Sequence, residues 1–325
     1  MVNTRNGKKD VLYLLAGLGL LAALMLNASA AASACREALG ICARLLIPSL
    51  FPFFVLSGLL NSLGLPGLLG RLLAPAAMRL FGVSGAGASA LLIGLTGGYP
   101  AGAAYIADMV RQGSVSRQEA ERLLAFCNNS GPAFIIGAVG VGVFGSVKLG
   151  LLLYAIHILS ALLTGLFFRG KHPCGEIQPL FTESADPALA LVESVHQAVA
   201  SLLNVCGFAL CFSVLLAVLD GNGTLTLLCG VLAARFHFEP RFVRAMLTGL
   251  FELGSGTAAM QGLRPCPESF ALAAFLLGWG GLSVHFQTLG VLSDSKLKGA
   301  LHMAGRLMSA GFAGILAYLA GLVVF

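Results

Sequence analysis

The chain has 325 residues, 57% of them hydrophobic and only 10% charged, with a mean hydropathy of +0.89 and a formal net charge of +6. Soluble domains carry roughly 25% charged residues, so too little polar surface is present to cover a water-soluble globule of this size. The basic residues are scattered at the ends of apolar runs, where they act as topology determinants and not as a nucleic-acid footprint.

In chain order, basic Arg5, Lys8 and Lys9 precede an apolar stretch from Val11 to Leu26, with small-residue sites at Ala28-Ser29-Ala30 and Ala32-Ser33-Ala34. That is the grammar of a secretory signal. The uncharged stretch continues to Ala34, however, and an uncleaved transmembrane helix within 1–34 is the expectation for a polytopic chain. Charge-free runs follow at 45–70, 80–107, 123–147, 149–168, 194–219, 269–293 and 307–325. Each approaches or exceeds the about 20 residues that a helical crossing needs. The stretches 37–54 and 193–212 begin polar and turn apolar, a composition suited to the interface before entry into the membrane. The segment 169–187, with Lys171, Glu176, Glu183, Asp186 and three prolines, is the one clear polar linker, and it separates units 35–168 and 188–325.

Those units align with each other. Phe126 pairs with Phe275, Gly131 with Gly280, Ser160-Ala161 with Ser309-Ala310 and Gly165 with Gly314, all 149 positions apart. Upstream, Gly94-Leu95 and Ala103-Ala104 pair with Gly249-Leu250 and Ala258-Ala259 at a spacing of 155. Gly, Ala and Leu match cheaply by chance, but the order of several matched blocks does not. With a cytoplasmic N-terminus, 11–34 exits, 45–63 returns, 80–107 forms a re-entrant hairpin, 123–147 exits and 149–168 returns. This leaves Arg71, Arg79, Arg111, Arg117, Arg122, Arg169 and Lys171 inside. A unit with three crossings reverses direction, so its copy is expected inverted: 194–219 out, a hairpin around 252–257, 269–293 in and 301–325 out. Arg235, Arg241, Arg244 and Arg264 then fall outside, against the positive-inside rule, whereas Lys296 and Lys298 obey it.

Each unit carries two breaks at membrane depth: Thr96-Gly97-Gly98-Tyr99-Pro100 and Cys127-Asn128-Asn129-Ser130-Gly131-Pro132 in the first, Glu252-Leu253-Gly254-Ser255-Gly256-Thr257 and Gly278-Trp279-Gly280-Gly281 in the second. Irregular backbone survives there when it is buried in protein or lines a cavity, and duplicated breaks point to a transporter's binding site. Gly97 and Gly98 allow close backbone approach, and a half-helix N-terminus after Pro100 would attract an anion. The alternative at these glycines is ordinary close helix packing. Asn128, Asn129 and Ser130 place three hydrogen-bonding side chains before a Gly-Pro break, more than interhelical glue requires. Glu252, an intramembrane carboxylate, is either a functional group or a residue close enough to the interface to reach water. Ser255 and Thr257 add donors beside it. Trp279 is either a stacking platform or an interfacial anchor, and His285 either titrates or packs. His157 and Arg306 share one register of the repeat, while Glu119, Glu121 and Arg122 have the composition of a solvated helix face. The eight cysteines include no CxxC pair and no metal-ligand spacing with histidine. No Gly-x-Ser-x-Gly, His-Glu-x-x-His or Walker A sequence occurs, so neither an enzyme nor a cofactor is expected, and transport would be gradient-driven or passive.

The run Gly94-Leu95-Thr96-Gly97-Gly98-Tyr99-Pro100-Ala101-Gly102-Ala103, the stretch 121–139 around Asn128-Asn129-Ser130-Gly131-Pro132, and Pro48-Ser49-Leu50-Phe51-Pro52-Phe53-Phe54 resemble the YlbJ/SpoVV sporulation integral membrane proteins, which carry the nucleoside-recognition or Gate domain. The likeness covers nearly the whole chain and is strongest over 47–168. It implies an all-α polytopic fold of two inverted repeats with re-entrant hairpins and unwound helices, similar to concentrative nucleoside transporters. It also implies a spore-forming bacterium and a place in the mother-cell-derived outer forespore membrane. The implied activity is movement of dipicolinate, a flat aromatic dianion, from the mother cell toward the forespore. By that similarity, the two hairpin tips and two unwound helices named above form the site. Ion-coupled nucleoside transport through Glu252 and Asn128, and a non-transporting scaffold for spore assembly, are the rival readings. The expected partners are a small organic anion and the lipid bilayer; the coupling ion and any homo-oligomer are left open.

Overall fold

The computed structural model describes residues 7–170 and 186–325, so most of the expected linker 169–187 and the first six residues, Arg5 among them, lie outside the described residues. The described chain is helical throughout, with no strand. Four segments are long and apolar enough to cross a bilayer, Val147–Phe167, Pro187–Gly221, Pro267–Leu292 and Ala300–Val324, and two bent helix pairs add candidates.

The N-terminal stretch is not one helix. α1 (Gly7–Leu26) ends at Asn27, and α2 (Ala28–Ile41) leaves at 86° to it. Asn27 is the reason: its Nδ2 donates to Ala23 O at 2.9 Å and to Asn222 Oδ1 at 3.2 Å, so the corner is tied to the far end of the second unit's first span. A π-helical stretch, π1 (Cys42–Leu46), links α2 to α3 (Ile47–Ser62). The corresponding segment of the second unit is a single unbroken helix, α9 (Pro187–Gly221). At about 1.5 Å per residue, its 35 residues exceed the roughly 30 Å hydrocarbon core, and its polar start continues directly into the span with no separate interfacial piece.

From α3 and α9 onward the two units repeat one order of elements. In the first, α3 is followed by α4 (Leu65–Phe81), a hairpin of α5 (Gly85–Thr96) and α6 (Ala101–Arg111), a broken helix of α7 (Arg117–Phe126) and π2 (Ala133–Val141), and α8 (Val147–Phe167). In the second, α9 is followed by α10 (Thr224–Phe236), a hairpin of α11 (Pro240–Phe251) and α12 (Leu253–Ala259), a broken helix of α13 (Pro267–Trp279) and α14 (Gly281–Leu292), and α15 (Ala300–Val324). Span, broken helix and last span make an odd number of crossings, so the second unit is inverted. Ser160 and its repeat counterpart Ser309 meet hydroxyl to hydroxyl at 3.3 Å, which places the axis relating the units between α8 and α15.

The sequence did not single out α4 and α10 as separate helices. Both are bounded by left-handed backbone, Gly64 and Gly82 in one case, Gly223 and His237 in the other, and α4 turns through 96° into α5. The charges expected on a solvated face of α7 are also placed differently. Glu119 is fully buried, and its Oε1 accepts from Ser84 N at 2.6 Å, capping the start of hairpin arm α5; Glu121 accepts from Lys298 N at 3.1 Å. These carboxylates fasten the base of the first hairpin and the approach to α15.

Hairpins and breaks are joined backbone to backbone at small residues. A Cβ on Gly94 would lie 1.7 Å from Cys127 O, one on Gly102 2.2 Å from the same oxygen, and one on Gly256 2.2 Å from Gly249 Cα. A Cβ on Gly305 would lie 2.1 Å from Ala125 O, and one on Gly278 2.6 Å from Ala310 Cα. Gly94→Ala is therefore expected to cost at least the about 3 kcal/mol at the top of the usual overpacking range. Gly311, with nothing within 4 Å of an added Cβ, is expected to tolerate Ala with no loss. Thermal unfolding of both variants in detergent checks this; equal midpoints would contradict the packing described.

Candidate solute-binding site

Both hairpin tips and both breaks meet. A Cβ on Gly98 would sit 3.1 Å from Gly131 N, which joins the first tip to the first break. One on Gly280 would sit 3.3 Å from the Tyr99 ring, and one on Gly281 3.1 Å from Leu253 N, so the second break touches both tips. At this junction a cavity is lined by Gly98, Tyr99, Ser130, Gly131, Glu252, Leu253, Gly254 and Gln287. Leu46, Leu50, Phe54, Phe134, Val205 and Val284 form its apolar wall. An apolar slot with a few convergent polar groups is the usual form of a small-molecule site.

Five of the sequence-predicted residues, Gly98, Tyr99, Ser130, Gly131 and Glu252, line this cavity. Glu252 caps α12: Oε1 accepts from Gly254 N at 2.9 Å and Oε2 from Ser255 N. The Ser130 amide donates to His157 Nε2 at 3.1 Å, which assigns the imidazole proton to Nδ1. The Tyr99 hydroxyl donates to Leu277 O, in the last turn of α13, at 3.3 Å.

The remaining predicted residues lie around the cavity and not on it. Thr96 is exposed, and its hydroxyl donates to Leu92 O on its own helix at 2.8 Å; Thr257 does the same to Leu253 O at 2.8 Å. Gly97 faces a neighbouring cavity between hairpin 1, α3 and α9, and Ser255 a third between α2, α9 and hairpin 2, where it meets Ser213 at 3.1 Å. Gly256 is the hairpin-2 packing contact. Trp279 donates its indole N–H to Leu250 O at 3.0 Å and lies against His285, ring centroids 4.3 Å apart, with His302 5.2 Å beyond.

Asn128 and Asn129 are fully buried in the first break. Asn128 Oδ1 accepts from Ala103 N at 3.3 Å and its Nδ2 donates to Thr288 Oγ1 at 3.0 Å, tying the α6 start to α14. Asn129 Nδ2 donates to Phe126 O at 2.7 Å, and its Oδ1 accepts from Arg306 Nη1 at 2.7 Å. The half-helix N-termini expected to attract an anion are thus engaged within the protein, by Asn128 at α6 and by Glu252 at α12. Leu253 and Gly254, within the expected second tip but not singled out there, also line the cavity, and Gln287 was not foreseen at all. Gln287 is the one side-chain amide in 269–293, and that rarity was the available signal. Its Oε1 is buried at the cavity without a partner.

Fold and cavity together define an all-helical membrane protein with a transporter-type architecture. A solved structure of the concentrative nucleoside transporter CNTnw in an inward-facing, substrate-bound state matches 98% of this chain and 86% of its own, with a TM-score of 0.61 at 15% identity. An intermediate state of its N149L variant matches 97% and 86%, with a TM-score of 0.56 at 16% identity. The Gate family model, described as nucleoside recognition, matches residues 43–181. The sporulation integral membrane protein YlbJ of Bacillus subtilis (strain 168) is 30% identical over 92% of this chain and 79% of its own length. The chain belongs to the YlbJ family of sporulation integral membrane proteins.

Asn128→Ala strands the Ala103 amide and the Thr288 hydroxyl in a buried site, and is expected to cost about 1–3 kcal/mol. Thr96→Ala, at an exposed position, is expected to stay within about 0.5 kcal/mol of the parent. Chemical or thermal unfolding in one detergent ranks them; a milder effect at Asn128 than at Thr96 would contradict the buried bridge.

Proposed function

We propose that this protein is a membrane transporter of a small organic anion, dipicolinate, moved from the mother cell toward the forespore across the outer forespore membrane. The observation that carries the transport reading is the meeting of two re-entrant hairpin tips and two helix breaks, one pair from each inverted unit, around one cavity. Such a site can open to either side as one unit moves against the other. Membership of a sporulation family supports the choice of solute. The apolar wall from Leu46, Leu50, Phe54 and Phe134 suits an aromatic ring. Positive charge reaches the cavity through Tyr99, whose hydroxyl accepts from buried Arg306 at 3.4 Å. Both Glu252 oxygens are already held by backbone amides.

One observation favours a second reading. Glu252 and the unpartnered Gln287 Oε1 present two acceptors to the cavity, which suits a neutral solute rich in hydroxyl and amine donors, as in nucleoside-type transport. Flux of labelled dipicolinate and of labelled uridine into proteoliposomes separates the readings, with empty vesicles alongside. Dipicolinate flux is expected, reduced about ten-fold or more in the Asn128→Ala/Asn129→Ala double variant, since two buried networks are lost. Uridine flux alone would replace the anion by the nucleoside reading. Neither flux, with the protein monodisperse, would favour a scaffold.

A further inference from the structure

Arg306 is the largest fully buried side chain among the described residues, and every oxygen that receives it is neutral. Its Nη1 donates to Asn129 Oδ1 at 2.7 Å and to Tyr99 Oη at 3.4 Å, and its Nη2 to Ala125 O at 3.0 Å. These oxygens come from the C-terminal turn of α7, from the first break and from the tip of hairpin 1. Carbonyls at half-helix C-termini and unwound segments are the groups with which membrane carriers coordinate a coupling cation. Here a guanidinium occupies them. It is delivered by design of the backbone: Gly305 lets α15 touch Ala125, and His302 Nδ1 sits 3.1 Å from Leu124 O one turn earlier.

We propose that Arg306 is a tethered cation, holding the hairpin-1 tip and the first helix break in register where a free ion would otherwise be bound, so that the transport cycle needs no alkali cation at this break. A buried charge survives when hydrogen bonds replace its water, and removal of the charge leaves the acceptors orphaned. The guanidinium is also covalently part of α15, so the tip stays fastened whichever alkali cation the medium supplies. The proposal relies on the transport reading only for the flux part of its test.

The test uses the full chain, in detergent for thermal unfolding and in proteoliposomes for flux. Wild-type midpoint and flux are expected to be unchanged when Na⁺ is replaced by K⁺ or choline at constant ionic strength. Arg306→Ala is expected to unfold at lower temperature and to lose about ten-fold or more of its flux, as deletion of a charge-assisted buried contact implies. Millimolar methylguanidinium should restore both toward wild type, whereas Arg306→Met, which fills the space without charge, should not respond. A saturable rise in wild-type midpoint or flux with Na⁺ would overturn the proposal. So would an Arg306→Ala protein with wild-type flux, or a folded inactive one that methylguanidinium fails to restore. If the alanine variant does not fold, Arg306→Lys is expected to fold with a midpoint between those of Met and wild type; a Lys variant no better than Met overturns the cation role. Absence of flux for any solute in wild type defeats the transport reading, while the unfolding midpoints still decide this one.

Discussion

A helix that stops in the middle of a membrane leaves carbonyl oxygens with no water to receive them, and among the described residues the two broken helices, ending at Phe126 and Trp279, meet this constraint at the cavity. The first is resolved by side chains, two from α15 and one from the break itself: Leu124 O faces His302, Ala125 O accepts from Arg306, and Phe126 O accepts from Asn129. At the second, Leu277 O accepts from Tyr99 of the opposite hairpin. Because Arg306 also donates to Tyr99, the two helix ends are connected through a single hydroxyl. Each such donor spares a carbonyl a desolvation cost of several kcal/mol at this depth.

The glycines serve the same end from the backbone side. Gly94 and Gly102 admit the Cys127 carbonyl between the hairpin arms, and Gly305 admits the Ala125 carbonyl against α15. Glu252 shows the economy of the second hairpin: one carboxylate caps α12 through two amides and still lines the cavity. Glu119, far from the cavity, does the equivalent for the outer end of hairpin 1.

The fold was legible where the sequence repeats itself. The spacing of Gly131 to Gly280 and of Ser160 to Ser309 carried the duplication, and the serines touch across the axis. What composition could not show was direction. Asn27 turns the chain through 86° by bonding Asn222, 195 residues away, and no local signal records so distant a partner. The helices α4 and α10 merged into neighbouring apolar runs because their limits are set by backbone handedness and not by polarity. In the site, breaks were readable from Gly and Pro, and seven of their residues, Leu253 and Gly254 among them, line the cavity. Which side chains face it was not readable, because helical phase is lost where the helix unwinds: Asn128 and Asn129 turn inward to the protein, while Gln287 turns to the cavity.

The Ser160–Ser309 contact has an evolutionary reading. In an unduplicated ancestor inserted in both orientations, that serine would meet itself, and any substitution near the axis would strike both faces of the assembly at once. No position could then hold a charge on one side and a neutral group on the other. Fusion of the two copies into one chain lifts that symmetry. The shared register of His157 and Arg306 is where the liberty was used: one unit keeps an imidazole that accepts from the Ser130 amide, and the other installs a cation. Two identical halves would keep the two faces of the molecule alike; halves that differ let the faces differ.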